Sequence, residues 1–452
     1  MAATKVGTIG VIGGTGNLGA ALARRWLIPV CASFALSGLA QAESPPQPGA
    51  TQSTAPWMSG FPPAPERIIR NSDADFFAGE KLRWTVCHMQ ELLPTKIVHR
   101  GLKPAVDLVY QLDTDLDNVS FTPTGTQDTM TWNEAFTVNK TDGLIVLHKG
   151  KVVYERYDGC LDEHGLHASM SMTKSLVGLL AETLIAEGQL DENALAGDLI
   201  PELKGSAFGS ATVRQIMNMT TSLKYSEDYS DPEADVWKYS QAASAMPKPG
   251  DYTGPRSYFE YLQTVQAAGK HGEAFAYKTI NTDTLGWIIS RSSGKSVVEL
   301  ISERIWQPMG AEQSANFTID SIGTPFAGGG LSAGLRDLAR VGQLMLNDGQ
   351  VNGEQIIPAA AIKSIRRGGD PKLFTKAGYT SMPKGSYQSM WWHLHNANQA
   401  YAARGIHGQT IYIDPTADMV IVRFASHPQA ANAANDSTSL PAYQAVADHL
   451  VK

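Results

Sequence analysis

Short apolar runs bounded by turns form the clearest pattern along the chain and predict β-strands. Residues 144–148 and 151–157, rich in Val, Leu and Tyr, are separated by Lys149-Gly150 and predict a β-hairpin. Three later runs predict further strands: 389–394, 409–413 and 419–424. Because short turns rather than helical crossovers join neighbouring strands, we expect a largely antiparallel sheet.

Helical periodicity marks the elements that would cover this sheet. Apolar residues recur at helical spacing from residue 171 to about residue 187, where Gly188 supplies an end. Further helices are expected at 335–345 and 442–451. The pattern predicts an α+β fold, with a mainly antiparallel sheet flanked by helices and a helical lobe at about 196–315. The functional site is expected in the cleft between sheet and lobe.

Composition divides the chain into four segments. Residues 1–42 read as a targeting segment, and residues 43–65, dominated by Pro, Gly, Ser and Thr, as a disordered linker. Residues 66–130 are expected to form an N-terminal extension packed on the main domain. The main domain itself is assigned to residues 131–452.

The first segment carries two signals that contradict each other. Gly14, Gly16 and Gly19 stand between an apolar run and a helical pattern, as in a dinucleotide fingerprint, and would predict an oxidoreductase. The second strand that such a site needs is missing. The residues that follow instead match a secretory signal, with basic Arg24-Arg25, a short apolar core and the small residues Ala40-Gln41-Ala42. The apolar core is too short to span a membrane. We therefore expect a periplasmic or secreted protein, or a cytoplasmic one if the segment is not used. The glycine-rich start is interpreted as an extra piece joined upstream of this signal.

Composition and charge favour a small-molecule substrate. The net charge of -7 comes from mixed acidic and basic residues without a basic run, which gives no reason to expect nucleic acid as a partner. No cofactor is expected. The oligomeric state is not fixed by the sequence, and a homodimer is compatible with it.

Cysteine and histidine do not form a recognisable metal-binding pattern. The chain has three cysteines, Cys31, Cys87 and Cys160, none in a zinc-ligand spacing. Free thiols are the favoured interpretation, with a Cys87–Cys160 bridge as the alternative. The pairs His164/His167 and His393/His395 lack further ligands at suitable spacing, so no metal is predicted and solvated or packed histidines are expected.

Catalytic chemistry is indicated by a serine and a lysine one helical turn apart. The spacing S-x-x-K occurs three times: Ser171 to Lys174, Ser292 to Lys295 and Ser381 to Lys384. Only Ser171 opens a predicted helix, where both side chains share one face and free N–H groups favour negative charge. Lys174, partly desolvated, could then take the proton of Ser171 as that serine attacks an acyl carbon. The alternative is that Ser171 only caps the helix and Lys174 is exposed.

A second motif lies about a hundred residues further on. The stretch 275–287 contains Tyr277, then Thr279, then Leu285-Gly286. It resembles the Y-x-N motif of class C β-lactamases, D-alanyl-D-alanine carboxypeptidases and related esterases, with Thr279 in place of Asn. The resemblance implies a β-lactamase/transpeptidase-like fold and a role for Tyr277 in relaying a proton to the leaving group.

The third motif of these enzymes is matched in position by Ala403-Arg404-Gly405. The resemblance implies that the backbone N–H groups of Ile406 and Ser171 form the oxyanion hole, and that Gly405 and His407 contact the substrate. Because the lysine of the penicillin-cleaving enzymes is absent here, penicillin is disfavoured as a substrate.

Several stretches are similar to one branch of this superfamily, the 6-aminohexanoate-dimer hydrolases: 82–88, 91–95, 226–229 and 405–409. In that branch a tyrosine at the position of Tyr229 closes over the substrate amide. We therefore predict a serine hydrolase that cleaves small linear amides, such as 6-aminohexanoate oligomers, or short carboxylic esters through an acyl-enzyme on Ser171. The alternatives are a carboxylesterase or D-amino-acid peptidase of the same superfamily and, more remotely, a non-catalytic penicillin-binding sensor.

Overall fold

Eight strands form the central sheet of this computed structural model, which describes residues 57–452 apart from positions 74, 230, 246, 247 and 249. The strands are β1 (Thr95–Val98), β2 (Val109–Tyr110), β3 (Ser120–Phe121), β4 (Met130–Thr131), β5 (Thr141–His148), β6 (Lys151–Tyr157), β7 (His167–Ala168), β8 (Ala315–Thr318), β9 (Leu331–Ala333), β10 (Gln350–Val351), β11 (Glu354–Gln355), β12 (Ser386–Gln388), β13 (Trp391–His393), β14 (Tyr401–Gly405), β15 (Gln409–Asp414) and β16 (Met419–Ala425). The sequence predictions for residues 1–56 lie outside the described residues.

Helices cover the sheet and fill the segment between β7 and β8. They are α1 (Leu82–Thr85), α2 (Met89–Leu92), α3 (Trp132–Val138), α4 (Met172–Ala186), α5 (Ala196–Leu199), α6 (Val213–Met217), α7 (Asp235–Ala243), α8 (Tyr258–Thr264), α9 (Ile280–Ser293), α10 (Val297–Ile301), α11 (Leu335–Leu346), α12 (Ala359–Arg366), α13 (Pro371–Thr375) and α14 (Ala433–Leu450). Among the helices that the structure describes, none is long and apolar enough to cross a membrane.

The large sheet has the strand order β12-β13-β14-β15-β16-β5-β6-β2, and its neighbours are antiparallel except for the β2–β6 pair. A second, four-stranded sheet has the order β1-β8-β9-β7. The extension 66–130 supplies one strand to each sheet, β1 and β2. Antiparallel strands with flanking helices confirm the predicted α+β class.

Alternate side chains of the central strands enter two separate cores. Ile145 and Leu147 of β5 pack into the larger core together with residues of α4. Leu144 and Val146 point the other way, into a core shared with α3 and α14. Both faces of the sheet are therefore covered, and each fully buried aliphatic side chain contributes roughly 1.5–3 kcal/mol to folding. This double burial fixes the register of the strands that carry the site.

Two predicted elements differ from the structure. The run 389–394 begins in a turn, where Ser389 and Met390 adopt positive φ, and only Trp391–His393 of it form a strand, β13. Helix α14 begins nine residues before 442 and contains Pro441. A proline removes the N–H that would bond to Ser437. The Ser437 carbonyl accepts instead from the Thr124 N–H at 2.8 Å, which lets the helix continue through the proline.

One further expectation about the first part of the chain is wrong, and a second can be compared with the structure in part. Cys87 and Cys160 form a disulfide with a Cα–Cα distance of 6.0 Å, so neither is a free thiol. The predicted disordered linker 43–65 is placed in the structure from residue 57 onward. There, the Trp57 ring lies 5.9 Å from the Lys81 ammonium, and the Met58 N–H donates to the Arg67 carbonyl. These contacts hold a proline-rich stretch that composition alone had assigned to a flexible segment.

Candidate active site

Ser171 lies where the two sheets meet the N-terminus of helix α4. Strand β9 holds the chain two residues before Ser171, since the Ser169 N–H donates to the Leu331 carbonyl at 2.8 Å. Met170 adopts a φ of 47°, which turns the chain sharply into the helix. Gly405, at the end of β14, packs against this turn, and a Cβ there would lie 2.9 Å from the Ser171 nitrogen. The fold thus brings the end of one strand against the first residue of the helix.

The Ser171 hydroxyl forms a hydrogen bond with Lys174 and does not cap the helix. Ser171 has helical backbone angles and no capping hydrogen bond from its side chain. The Lys174 Nζ lies 2.7 Å from the Ser171 Oγ and also donates to the Gly328 carbonyl. Lys174 is only 1% exposed. The interpretation of Lys174 as an exposed first-turn residue is therefore wrong.

Burial controls the protonation of Lys174. Loss of water lowers the pKa of its ammonium to about 8, because the charged form is no longer solvated. The negative charges of Glu227 and Asp283 act in the opposite direction and limit this fall. A lysine with this pKa has a substantial neutral fraction near neutral pH, so its amine can accept a proton.

Asp283 is linked to Lys174 through a single residue, Gly328. The Gly328 N–H donates to the Asp283 carboxylate at 2.9 Å, while the Gly328 carbonyl accepts from Lys174. A Cβ at Gly328 would lie 2.8 Å from the same carboxylate, so a larger residue would disturb this arrangement. Asp283 is buried, and desolvation raises its pKa. The sequence motifs do not include Asp283, which lies one helical turn after Thr279.

Tyr277 lies on the side of Ser171 that faces β12 and β13. Its ring stacks on Trp392 at 5.2 Å, and the Lys174 Nζ lies 5.2 Å from the ring centre. Burial raises the pKa of its phenol well above the usual value, and the charge of Glu227 acts in the same direction. The structure therefore brings Ser171, Lys174 and Tyr277 together, and the phenol keeps its proton at neutral pH. Trp392 of β13 thus supports this tyrosine.

Glu227 is a second residue of this site that the sequence motifs did not indicate. Its carboxylate accepts from the Tyr229 hydroxyl at 2.9 Å and from both the backbone N–H and the hydroxyl of Thr279. Thr279 replaces the Asn of the family motif, and here it holds this carboxylate beside Lys174. Glu227 stood two residues before a selected tyrosine, but its contact with Thr279 depends on the tertiary fold.

A cavity of about 490 Å³ opens beside Ser171. Tyr229, Ile406 and His407 line it together with Ser171, whereas Lys174, Tyr277 and Gly405 are not part of its lining. His407 forms a hydrogen bond from Nδ1 to the His427 carbonyl at 2.7 Å. Burial lowers the pKa of His407, so its ring is neutral. The volume lies within the range of roughly 300–1,000 Å³ typical of small-molecule sites.

The remaining candidates lie apart from this site. Lys295 is exposed and pairs with Glu303, and the Ser381 hydroxyl donates to Asp436. His167 is buried against Asp142, and His164 is exposed beside Glu163. Within the described ranges, one group has metal-ligand spacing, namely Cys87, Cys160 and His167, but its two sulfur atoms are joined in the disulfide.

This fold and this site define a serine hydrolase with a buried serine–lysine pair. The β-lactamase family model matches residues 139–442. A 6-aminohexanoate-dimer hydrolase from Paenarthrobacter ureafaciens is 35% identical over 350 residues, which are 76% of this chain and 86% of the relative. The chain thus belongs to the β-lactamase family and, within it, groups with the 6-aminohexanoate-dimer hydrolases.

Solved structures agree with this assignment. A Bacillus anthracis protein assigned as a 6-aminohexanoate-dimer hydrolase superimposes with a TM-score of 0.78 and 32% identity, over 86% of this chain and 98% of its own. A penicillin-binding protein homologue from Caulobacter crescentus, 16% identical, matches with a TM-score of 0.55 over 75% of this chain and 100% of its own, and it shows the fold alone. The predicted family and fold are confirmed.

Proposed function

We propose that this hydrolase cleaves small linear amides, such as 6-aminohexanoate oligomers, and short carboxylic esters through an acyl-enzyme on Ser171. The observation that carries the proposal is the buried Lys174 amine, 2.7 Å from a serine hydroxyl at the edge of a substrate-sized cavity. A serine is a weak nucleophile until a base accepts its proton. Neutral Lys174 supplies that base.

The reaction proceeds in two halves. Ser171 Oγ attacks the acyl carbon as its proton moves to Lys174, and negative charge develops on the carbonyl oxygen. The N–H groups of Ser171 and Ile406 are assigned to stabilise this oxygen. Tyr277 then passes a proton to the leaving amine or alcohol, the carbon–heteroatom bond breaks, and water later releases the acid from Ser171.

Tyr229 is assigned to contact the substrate amide. Its ring lines the cavity and is held by Glu227 through its hydroxyl and by Trp237 at a ring distance of 5.9 Å. A phenol held in this way can donate to or accept from an amide once substrate displaces the Glu227 contact.

A carboxylesterase or D-amino-acid peptidase remains the alternative, since both use the same groups. Rates on a linear amide and on a short acyl ester, measured side by side, separate these activities. A sensor of the penicillin-binding type would form the acyl-enzyme and fail to hydrolyse it, which mass spectrometry of the intact protein would reveal.

The central test replaces the nucleophile. Ser171→Ala should abolish turnover of para-nitrophenyl acetate and of 6-aminohexanoate dimer while the circular dichroism spectrum stays unchanged. The matched control is Ser292→Ala, which removes the serine of an S-x-x-K pair at the end of α9 and should leave turnover intact. Turnover retained in Ser171→Ala would refute the proposal.

We also propose that the protein is exported to the periplasm or secreted. The signal-like segment ending at Ala42 supports this, and so does the Cys87–Cys160 disulfide, because such bonds persist mainly in oxidising compartments. Fractionation of expressing cells followed by N-terminal sequencing tests it, with a new N-terminus at Glu43 as the expected result. Light scattering of the same material would settle whether it is a homodimer.

A further inference from the structure

The cavity beside Ser171 has walls without a charged side chain. Phe76 and Phe77 of the N-terminal extension form one wall, and Val236 and Trp237 of α7 contribute to another. None of the described residues that line the cavity is Asp, Glu, Lys or Arg. The five undescribed positions between residues 57 and 452 are Ala, Ser, Met, Pro and Pro, so they add no charge either.

Acidic groups lie behind this lining, and their oxygens accept hydrogen bonds from the protein, except for Asp283 Oδ2, which is buried without a hydrogen-bond partner in the part of the chain that the structure describes. Glu227 accepts from Tyr229 and twice from Thr279. Asp283 accepts from the Gly328 N–H. Asp320 accepts from three backbone N–H groups, those of Tyr258, Ile322 and Thr324. A ligand cation in the cavity would have to displace these donors, or open a path to the buried Asp283 Oδ2, to gain a counter-charge.

The position of Tyr277 indicates which part of the substrate enters the cavity. Tyr277 is assigned to protonate the leaving group, and its ring centre lies 5.2 Å from the Lys174 Nζ, outside the cavity lining. Ile406, assigned to the carbonyl oxygen, does line the cavity. A substrate carbonyl held between these groups directs its leaving group toward Tyr277 and its acyl chain into the cavity.

We infer that the site prefers an acyl part that is an uncharged, mainly apolar chain or ring, and that a free ammonium or carboxylate on this part lowers kcat/KM. This inference rests on the proposed function. Moving a charged group from water into a site without a partner is strongly unfavourable, whereas aromatic and aliphatic walls bind apolar carbon well. The free 6-aminohexanoate dimer carries an ammonium at its acyl end at neutral pH, so a chain with a neutral acyl end should be the better substrate.

Three esters with the same leaving group and a six-carbon acyl chain test this. They are para-nitrophenyl hexanoate, para-nitrophenyl 6-aminohexanoate and the mono-para-nitrophenyl ester of adipic acid, which are neutral, cationic and anionic at pH 7. We expect kcat/KM for the neutral ester to exceed that of each charged ester by about tenfold or more. Equal or faster turnover of either charged ester would overturn the inference.

A charge placed in the wall tests the location of the acyl chain. Ser240 is an exposed residue of α7 that lines the cavity, so it can carry a carboxylate without burying it. Ser240→Asp should raise kcat/KM for the cationic ester relative to the neutral one by about threefold or more, and Ser240→Asn, of similar size, should not. An unchanged ratio in Ser240→Asp would overturn the placement of the acyl chain in this cavity.

Binding separates this inference from the proposed function. If no ester shows turnover that depends on Ser171, the proposed function fails, but the cavity can still be tested. Calorimetric titration of Ser171→Ala with N-methylhexanamide and with 6-amino-N-methylhexanamide compares a neutral and a cationic ligand of equal length. Tighter binding of the neutral amide supports the inference, and equal or tighter binding of the cation contradicts it.

Discussion

Lys174 combines two properties that rarely occur together, complete burial and a role that requires its proton to leave. Desolvation lowers its pKa to about 8, and the carboxylates of Glu227 and Asp283 hold it from falling further. Two groups that the motifs do not include therefore tune the base. A change in charge at either carboxylate would therefore alter the fraction of Lys174 that is neutral.

The pH dependence of turnover follows from this balance. Only neutral Lys174 can accept the Ser171 proton, so kcat/KM should rise with pH until it levels off above about pH 8. Because the Glu227 charge raises the pKa of Lys174, Glu227→Gln should move this rise to lower pH. Measurement of kcat/KM for para-nitrophenyl acetate from pH 5 to pH 10 checks both statements. A rise displaced to higher pH in the variant would contradict the assignment of Glu227.

At the scale of elements, the site depends on the contact between the end of β14 and the start of α4. Gly405→Ala would place a Cβ 2.7 Å from the Ser169 carbonyl and 2.9 Å from the Ser171 nitrogen. The shift needed to relieve this would displace the N–H groups assigned to the oxyanion, so kcat should fall by about 10²-fold or more. Gly205→Ala, where a Cβ would meet nothing within 4 Å, is the control. Similar kcat values for the two variants would rule out this contact as a determinant of activity.

The disulfide joins the N-terminal extension to the loop after β6. It closes a separation of 73 residues, and its sulfur atoms pack with Met170 and Ile406 near the nucleophile. Replacing both cysteines by serine should lower the free energy of unfolding by about 2–5 kcal/mol, as measured by urea denaturation. Dithiothreitol should destabilise the original protein similarly and leave the double variant unaffected. A loss under 1 kcal/mol would contradict this expectation.

The local pattern of apolar and polar residues predicted most helices and strands of the main domain. It could not predict contacts between segments that are distant in sequence. The β5–β6 hairpin and helix α4 follow from neighbouring residues alone, so the sequence placed Ser171 and Lys174 correctly relative to each other. Resemblance to a family added Tyr277. Glu227 and Asp283 could not be found in this way, because their importance comes from contacts with Thr279 and Gly328. The Cys87–Cys160 pairing likewise depends on packing across 73 residues.

The whole molecule builds its substrate site from parts that are distant in sequence. Helix α4 carries the nucleophile, the helical lobe supplies Tyr229 and α7, and the N-terminal extension adds a wall through Phe76 and Phe77. The extension also supplies β1 to the small sheet and carries one half of the disulfide. The segment before the family match at residue 139 is thus part of the cavity, and it should influence which substrates bind.

Phe76 provides a test of this contribution at the level of the whole molecule. The Phe76 side chain is half-buried and lines the cavity, so Phe76→Ala removes apolar contact from the acyl chain while Ser171 and Lys174 keep their positions. We expect KM for para-nitrophenyl hexanoate to rise by about three- to tenfold, with kcat/KM for the acetate ester nearly unchanged, since only the longer chain reaches this wall. Phe61, fully exposed in the segment just before the extension, offers the matched control Phe61→Ala. Equal losses on both esters would mean that the extension stabilises the fold without selecting the substrate.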